Sequence, residues 1–169
     1  MSYRVTFVCT GNICRSPMAE WVLRHHVEEE GLDVEVDSSG TGNWHVGDDA
    51  DARTVQALLR AGYRSAHIAR QFDADWFDRY DLIIALDKGH ARALRAMAPA
   101  PGPDGAGGGT AAREKIRLLR EFDPAADRGD LDVPDPYYGG EADFDLVLEQ
   151  VEAAMPGLLD EIRAALKEG

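Results

Sequence analysis

Two cysteines and an arginine lie close together near the start of the chain, in residues 8–17, Val-Cys-Thr-Gly-Asn-Ile-Cys-Arg-Ser-Pro. The preceding residues, 4–8, are rich in β-branched and aromatic side chains, and they predict a buried strand that ends at Cys9. Ser16 is typical of a helix N-cap and Pro17 of a first helical residue. The loop between strand and helix can turn its backbone N–H groups around one anion, with the positive end of the helix dipole behind it. We therefore expect a phosphate-binding loop with Cys9 at its base.

Arg15 follows Cys9 after five intervening residues. Its planar guanidinium can hold two oxygens of a phosphoryl group at once, which a lysine does less well. The loop amides, the helix dipole and Arg15 all stabilise negative charge, so we expect Cys9 to be a thiolate. A thiolate beneath a bound phosphate is arranged for in-line attack on phosphorus. The alternative is that Cys9 is a small, buried apolar residue of the strand.

Residues 8–17 together resemble the signature of the low-molecular-weight protein tyrosine phosphatases. Residues 135–138, Asp-Pro-Tyr-Tyr, are similar to the second motif of that family, which carries the general acid. The resemblance implies an enzyme that hydrolyses phosphotyrosine in proteins, and small aryl phosphates, through a cysteinyl-phosphate intermediate without a metal or organic cofactor. Cys9 would be the nucleophile, Arg15 would hold the phosphate, and Asp135 would act as general acid and then as base. The matching phosphate-binding loop consists of Thr10, Gly11, Asn12, Ile13, Cys14, Arg15 and Ser16.

Asp135 also has a chemical rationale of its own. Expulsion of a phenolate is easier when a carboxylic acid protonates the leaving oxygen, an effect worth roughly 10²- to 10⁴-fold. Pro134 and Pro136 flank Asp135 and favour extended conformations, which stiffens the loop. The alternative interpretation is a simple Pro-Asp-Pro turn.

The resemblance also implies supporting residues around the loop. The Ser16 hydroxyl would donate to the thiolate. The supporting hydrogen-bond shell around the loop would consist of Asn12, Ser16, Ser39 and His67. An aromatic side chain is expected at the rim of the pocket, a role that Trp44 fits; the alternative is that Trp44 covers the core. The apolar wall suited to a flat phenyl ring consists of Ile13, Trp44, Tyr137 and Tyr138. Cys14 is the expected redox partner of Cys9, forming a reversible disulfide under peroxide.

Other activities share this kind of loop. Arsenate reductases of the same fold need further cysteines to relay a disulfide, and this chain has none beyond Cys14. Protein arginine phosphatases tend to carry threonine where this chain has Ile13, so phosphotyrosine is favoured. A redox-sensing or phosphate-binding module that retains the loop stays open as another class, although such a module would have no use for Asp135. Phosphorylation of Tyr137 and Tyr138, as in family members, stays open.

The composition limits the kinds of partner. The chain has 169 residues, with 18 Lys and Arg against 31 Asp and Glu, so the net charge is −13. This length predicts one domain over residues 1–169, and this charge makes nucleic acid and anionic membranes poor partners. No long apolar run, secretory signal or disulfide framework is recognisable, which predicts a cytoplasmic protein, with export by a signal-independent route left open. We expect a monomer whose partners are a phosphotyrosine protein and phosphate or a similar oxyanion.

Hydrophobic patterns predict strands and helices that alternate along the chain. We expect further strands at 34–38, 81–86 and 115–119, and helices at 17–30, 51–61 and 88–98. A long amphipathic stretch runs from Phe144 to the end, with a kink or break expected at Pro156-Gly157. Residues 99–112 predict a flexible Gly/Pro-rich surface loop within the domain. The expected fold is an open α/β sheet of four parallel strands with helices on both faces, flavodoxin- or Rossmann-like, and by resemblance the low-molecular-weight phosphatase fold.

Overall fold

The computed structural model describes residues 2–99 and 112–168. Its helices and strands in chain order are β1 (Tyr3–Cys9), α1 (Arg15–Glu30), β2 (Val34–Gly40), α2 (Ala52–Arg60), β3 (Leu82–Ala85), α3 (Lys88–Met97), β4 (Ile116–Leu118) and α4 (Glu141–Glu168). Two short 3-10 helices are formed by Ala74–Arg79 and Leu119–Phe122. The flexible loop expected at 99–112 lies outside the described residues, apart from its two ends.

The four strands form one parallel sheet in the order β2-β1-β3-β4. β1 lies between β2 and β3, and it brings Cys9 to the carboxyl edge of the sheet beside Gly40. Parallel strands are buried on both faces because their connections are helices, which explains the apolar runs in β1 and β3. The prediction of an open four-stranded parallel sheet in a single α/β domain is confirmed.

Helices cover both faces of the sheet, as predicted. α1, α2 and α4 share one apolar core with one face of β1, around Phe7, Leu58 and Leu158. α3 and the first 3-10 helix cover the other face, where Phe77, Ile83 and Leu94 are buried. Among the helices of the described residues, none combines the length and apolar character that a membrane span requires.

Of the kink or break expected at Pro156-Gly157, the break is wrong, because α4 is one continuous helix from Glu141 to Glu168. A proline within a helix removes one backbone hydrogen bond, so its cost must be offset by packing. α4 buries a long apolar face that includes Phe144, Val151 and Leu158. Gly157 has a packing role, since a Cβ at this position would collide with the carbonyl of Phe122. The glycine therefore allows close approach of the second 3-10 helix and does not end α4.

Candidate active site

The sulfur of Cys9 lies at the end of β1 and is almost completely buried. Its neighbour is the hydroxyl of Ser16, with Sγ and Oγ 2.9 Å apart. The prediction of Ser16 as N-cap is wrong: α1 begins at Arg15, and Cys14 occupies the N-cap position without a side-chain hydrogen bond. The Ser16 hydroxyl is therefore available to donate to a Cys9 thiolate, as the sequence resemblance implied.

Asn12 holds the loop in shape from inside. Its φ of 58° lies in the left-handed region, which is strained for most residues with a side chain and which Asn adopts more readily than most. Its amide Nδ2 donates to Ser16 Oγ (2.8 Å) and Ser38 Oγ (2.9 Å), and its Oδ1 accepts from the backbone N–H of Arg70 (2.9 Å). Its own carbonyl oxygen lies 2.6 Å from His67 Nε2. These four contacts stabilise the strained backbone and fix the loop to β2 and to the segment at 67–70.

The serine hydroxyl that contacts Asn12 belongs to Ser38, whereas Ser39 meets the expected hydrogen-bond shell through its backbone. Ser39 Oγ is buried without a partner among the described residues, and Ser39 offers only its carbonyl oxygen, 3.4 Å from Ser16 Oγ. Successive side chains of a strand point to opposite faces of the sheet. Ser38 pairs in register with Phe7 and shares its face, toward α1, so its hydroxyl meets Asn12.

Glu20 is a buried carboxylate of α1 that the sequence did not single out. It accepts from Ser38 Oγ (2.6 Å) and from Arg24 Nε (2.8 Å), and His67 Nδ1 lies 3.7 Å from it. Burial acts to raise the pKa of Glu20, but the neighbouring His67 and Ser38 and the charge of Arg24 together hold it below its ordinary value. Glu20 therefore stays ionised and orients two of the groups that contact Asn12.

Arg15 is buried and held from one side. Its Nη1 donates to Asp87 Oδ2 and to the carbonyl of Val133, each at 2.9 Å, and its side chain is only 5% exposed. Asp87 follows β3 and caps α3 by accepting from the backbone N–H of His90 at 2.9 Å. Burial opposes ionisation of Asp87, but the His90 N–H and the charge of Arg15 lower its pKa. Arg15 is thus anchored by a carboxylate at the same edge of the sheet as Cys9.

His90 fills the space between the loop and Arg15. Its Nε2 lies 2.8 Å from Thr10 Oγ1 and 3.4 Å from Arg15 Nη2, and its Nδ1 lies 3.2 Å from Asp87 Oδ1. Burial and the Arg15 charge lower the pKa of His90 to about 4, against the opposing effect of nearby carboxylates. A neutral ring with its hydrogen on Nδ1 suits these neighbours, because Nε2 can then accept from both Thr10 and Arg15.

Asp135 faces the loop from the other side of the pocket. Its Oδ1 accepts from the backbone N–H of Tyr137 at 3.1 Å, and its Oδ2 lies 3.9 Å from Arg15 Nη2. Half of its side chain is exposed, so it can exchange protons with solvent and substrate. Upstream, Val133 donates its backbone N–H to the carbonyl of Leu86 at 2.9 Å, which ties this segment to the end of β3.

One cavity of about 490 Å³ brings these groups together. It is lined by Cys9, Thr10, Gly11, Ile13, Cys14, Arg15, Trp44, His45, Asp135, Tyr137 and Tyr138. All three residues expected to be catalytic, Cys9, Arg15 and Asp135, therefore face the same space. Asn12 and Ser16 of the loop, and Ser39 and His67 beside it, are not among the lining residues.

The aromatic side chains form the rim of this cavity. Trp44 is 72% exposed and lines the cavity, so the alternative that it covers the core is wrong. Tyr137 and Tyr138 meet edge to face, with ring centroids 5.0 Å apart, and Tyr138 is almost fully exposed. Ile13 is nearly buried beneath them. The cavity thus has a polar, charged base and an aromatic mouth.

The family model for low molecular weight phosphotyrosine protein phosphatase matches residues 4–168. The chain belongs to this family. It is 58% identical over 165 residues to a low molecular weight protein-tyrosine-phosphatase of Streptomyces coelicolor, an alignment that covers 96% of this chain and 95% of the relative. A protein tyrosine phosphatase from Entamoeba histolytica has the same fold, with a TM-score of 0.86 at 31% identity, covering 97% of this chain and 99% of the other. A Drosophila arginine phosphatase is also similar, with a TM-score of 0.80 at 33% identity, covering 93% and 96%.

Cys14, the second cysteine of this phosphatase-family loop, is buried and lines the cavity together with Cys9. Burial raises the pKa of the Cys14 thiol to about 12, and the negative charges of Asp51 and Cys9 act in the same direction. Cys14 therefore stays protonated at neutral pH, whatever the state of Cys9. Among residues 2–99 and 112–168, no group of three or more His, Cys, Asp or Glu side chains is arranged to hold a metal ion.

Sequence reasoning missed Asp87, His90 and Glu20 as site residues. Asp87 has the one usable signal, since it comes two residues after the end of the apolar strand β3, and polar side chains at the carboxyl edge of a parallel sheet lie where ligands bind. His90 and Glu20 lie within helical patterns that are equally typical of surface residues. Only their contacts with Thr10, Arg15 and Ser38 identify them.

Proposed function

We propose that the protein hydrolyses phosphotyrosine in proteins, and small aryl phosphates, through a cysteinyl-phosphate intermediate. The observation that carries this proposal is the convergence of the Cys9 sulfur, the Arg15 guanidinium and the Asp135 carboxylate on one cavity with an aromatic mouth. A nucleophile, a clamp for the phosphoryl oxygens and an acid for the leaving group are the three parts that such a reaction needs. Membership of the phosphatase family supports the same reaction.

In the first step the Cys9 thiolate attacks phosphorus and the bond from phosphorus to the phenolic oxygen breaks. Ser16 donates its hydroxyl hydrogen to the thiolate before attack, across the 2.9 Å that separates the two atoms. Arg15 uses both Nη1 hydrogens to bind Asp87 and Val133 and one Nη2 hydrogen to contact His90, so its Nε–H, its other Nη2 hydrogen and the loop amides remain for the phosphoryl oxygens. Asp135 transfers its proton to the leaving oxygen, so the tyrosine departs neutral.

In the second step water hydrolyses the cysteinyl phosphate. Asp135, now a carboxylate, takes a proton from the attacking water as its oxygen bonds to phosphorus. The bond between sulfur and phosphorus breaks, which regenerates the Cys9 thiolate and releases inorganic phosphate. Two carboxylate oxygens with different neighbours suit this double role, because the Tyr137 N–H holds Oδ1 while Oδ2 faces the pocket.

Phosphoarginine is the competing substrate, since an arginine phosphatase shares the fold. Ile13 and the rim formed by Trp44, Tyr137 and Tyr138 favour a flat phenyl ring, which they can contact by stacking and edge-to-face packing. A guanidinium substrate would instead gain from acidic groups at the mouth. The apolar character of the wall therefore supports phosphotyrosine.

Release of phosphate from phosphotyrosine, phosphoarginine and phosphoserine peptides, with wild type and Cys9→Ser, tests the proposal. We expect preference for the phosphotyrosine peptide and loss of turnover in Cys9→Ser. Preference for phosphoarginine would keep the nucleophile but refute the role given to the aromatic wall. A Cys9→Ser protein with wild-type turnover would refute the mechanism itself.

We further propose that the protein acts as a cytoplasmic monomer on a protein substrate. The net charge of −13 supports a protein substrate over nucleic acid or an anionic membrane, because those two attract basic proteins. Both cysteines lie in the phosphate-binding loop as free thiols, which suits a reducing compartment.

A further inference from the structure

Arg53, on α2, spans the gap to the loop that carries Asp135. Its Nη2 donates to the carbonyl of Tyr137 at 2.9 Å, and its Nη1 donates to the carbonyl of Gly139 at 3.0 Å. Both carbonyls belong to a tight turn directly after Asp135, closed by the Gly139 N–H and the Pro136 carbonyl at 2.9 Å. One guanidinium thus binds the two outward carbonyls of this turn.

Asp51 holds Arg53 in place and links it to the phosphate-binding loop. The Asp51 carboxylate accepts from Arg53 Nε (3.0 Å) and Nη2 (2.9 Å), a forked ion pair that fixes the plane of the guanidinium. The backbone N–H of Asp51 donates to the carbonyl of Ile13 at 2.8 Å. A continuous chain of hydrogen bonds therefore runs from the loop that holds Cys9, through Asp51 and Arg53, to the loop that holds Asp135.

The Asp135 loop is held on both sides of Asp135. Before Asp135, the carbonyl of Val133 accepts from Arg15. After Asp135, the turn at 136–139 is held by Arg53, whose guanidinium also lies over the ring of Phe144 at 4.4 Å. Loss of Arg53 would remove both hydrogen bonds to the outside of this turn and leave it held by its own closing hydrogen bond and its continuation into α4.

We propose that Asp51 and Arg53 are positioning residues that set the distance between the acid, Asp135, and the nucleophile, Cys9. The inference rests on the proposed function, because Asp51 and Arg53 have this positioning role only if Asp135 protonates the leaving group. Arg53 is not among the residues that line the cavity and acts through the turn at 136–139. A displacement of about 1 Å in a reacting group can cost on the order of 10²-fold in rate.

Leaving-group dependence distinguishes positioning of the acid from general support of the fold. Phenol is a poor leaving group that needs a proton, whereas p-nitrophenolate leaves readily without one. The measured quantity is kcat/KM, which reports formation of the phosphoenzyme, for phenyl phosphate and p-nitrophenyl phosphate. For Arg53→Gln we expect a decrease of about tenfold or more with phenyl phosphate and about threefold or less with p-nitrophenyl phosphate.

Arg60 provides a matched control on the same helix. It also joins α2 to a neighbouring segment, through Asp145 (2.9 Å) and Glu141 (3.2 Å) of α4, but it binds no residue of the Asp135 loop. Arg60→Gln should leave kcat/KM for both substrates within about twofold of wild type. Arg53→Lys, which keeps the charge but cannot bind both carbonyls as a fork, should show the same selective loss as Arg53→Gln and serves if the latter does not fold.

The double variant tests the coupling directly. Asp135→Asn should show a larger version of the selective loss, and Arg53→Gln added to Asp135→Asn should cause no further selective loss, since no acid remains to be positioned. Equal decreases for both substrates, or none, in Arg53→Gln and Arg53→Lys would overturn the inference while the proposed function stands. An Asp135→Asn protein without leaving-group dependence would overturn both.

Discussion

His90 should make the stability of the protein fall as the pH decreases below neutral. Burial and Arg15 lower its pKa from 6.5 to about 4, while Asp87, Asp135 and Asp132 act in the opposite direction. In the unfolded chain the imidazole binds a proton near its ordinary pKa, but the folded protein binds that proton only near pH 4. Between these values the unfolded state holds more protons, so the free energy of unfolding decreases as the pH falls from about 6.5 to about 4.

The magnitude follows from the difference between the two pKa values. Each unit corresponds to 1.36 kcal/mol, so a difference of about 2.5 units predicts a loss of about 3 kcal/mol at and below pH 4. Above pH 6.5 the imidazole is neutral in both states and contributes no pH dependence. Because domains are typically stable by about 5–15 kcal/mol, the predicted loss is large enough to measure by denaturation.

Urea unfolding of wild type and His90→Gln, followed by tryptophan fluorescence between about pH 7 and about pH 4, tests this prediction. The decrease in unfolding free energy over this range should be smaller in His90→Gln by about 3 kcal/mol. Thr10→Val is the control, since it removes the hydroxyl 2.8 Å from Nε2 but keeps the imidazole, and its pH dependence should match wild type. Equal pH dependence in wild type and His90→Gln would refute the reasoning.

Two further predictions concern the rim of the pocket and the second cysteine. A Cβ on Gly42 would collide with the ring of Trp44, so Gly42→Ala should displace the indole. Steady-state kinetics should then show a KM for aryl phosphates raised about threefold with little change in kcat. An unchanged KM would mean that Trp44 does not contact the substrate. Peroxide should oxidise the Cys9 thiolate to a sulfenic acid, which the Cys14 thiol converts to a disulfide with loss of water. A thiol reductant should then restore activity to wild type but much less to Cys14→Ser, and equal recovery of the two proteins would contradict this role.

The elements nearest the nucleophile could be predicted because their signals are local. The β-branched run before Cys9 matches β1, and Gly31 ends α1 in the left-handed conformation, with φ of 65°. Strand alternation could not be settled in the same way. Ser39 is expected in the hydrogen-bond shell by resemblance alone, and only the structure shows that the hydroxyl in contact with Asn12 is that of Ser38. Ser38 and Ser39 point to opposite faces of β2, so the hydroxyl that reaches Asn12 depends on which face of β2 meets α1.

Local signals failed where packing outweighs intrinsic preference. Ser16 has the residue type of an N-cap, but its hydroxyl lies beside Cys9 and the helix begins one residue earlier. Pro156-Gly157 has the composition of a helix end, but the apolar face of α4 continues through it and the carbonyl of Phe122 occupies the space that a side chain would need. In both cases the competing interaction comes from residues distant in the sequence or on another element.

The sequence by itself determined the phosphate-binding loop, the position of the acid motif and the four-stranded parallel sheet, because these depend on residue types at close spacing and on hydrophobic periodicity. Only the tertiary structure brought Asp87 and His90 to Arg15, and Arg53 to the turn after Asp135. These contacts join residues 72 to 84 positions apart. Apart from the position of Asp87 after β3, nothing in their local sequence marks them, and their roles arise from the strand order and the packing that bring these distant segments together.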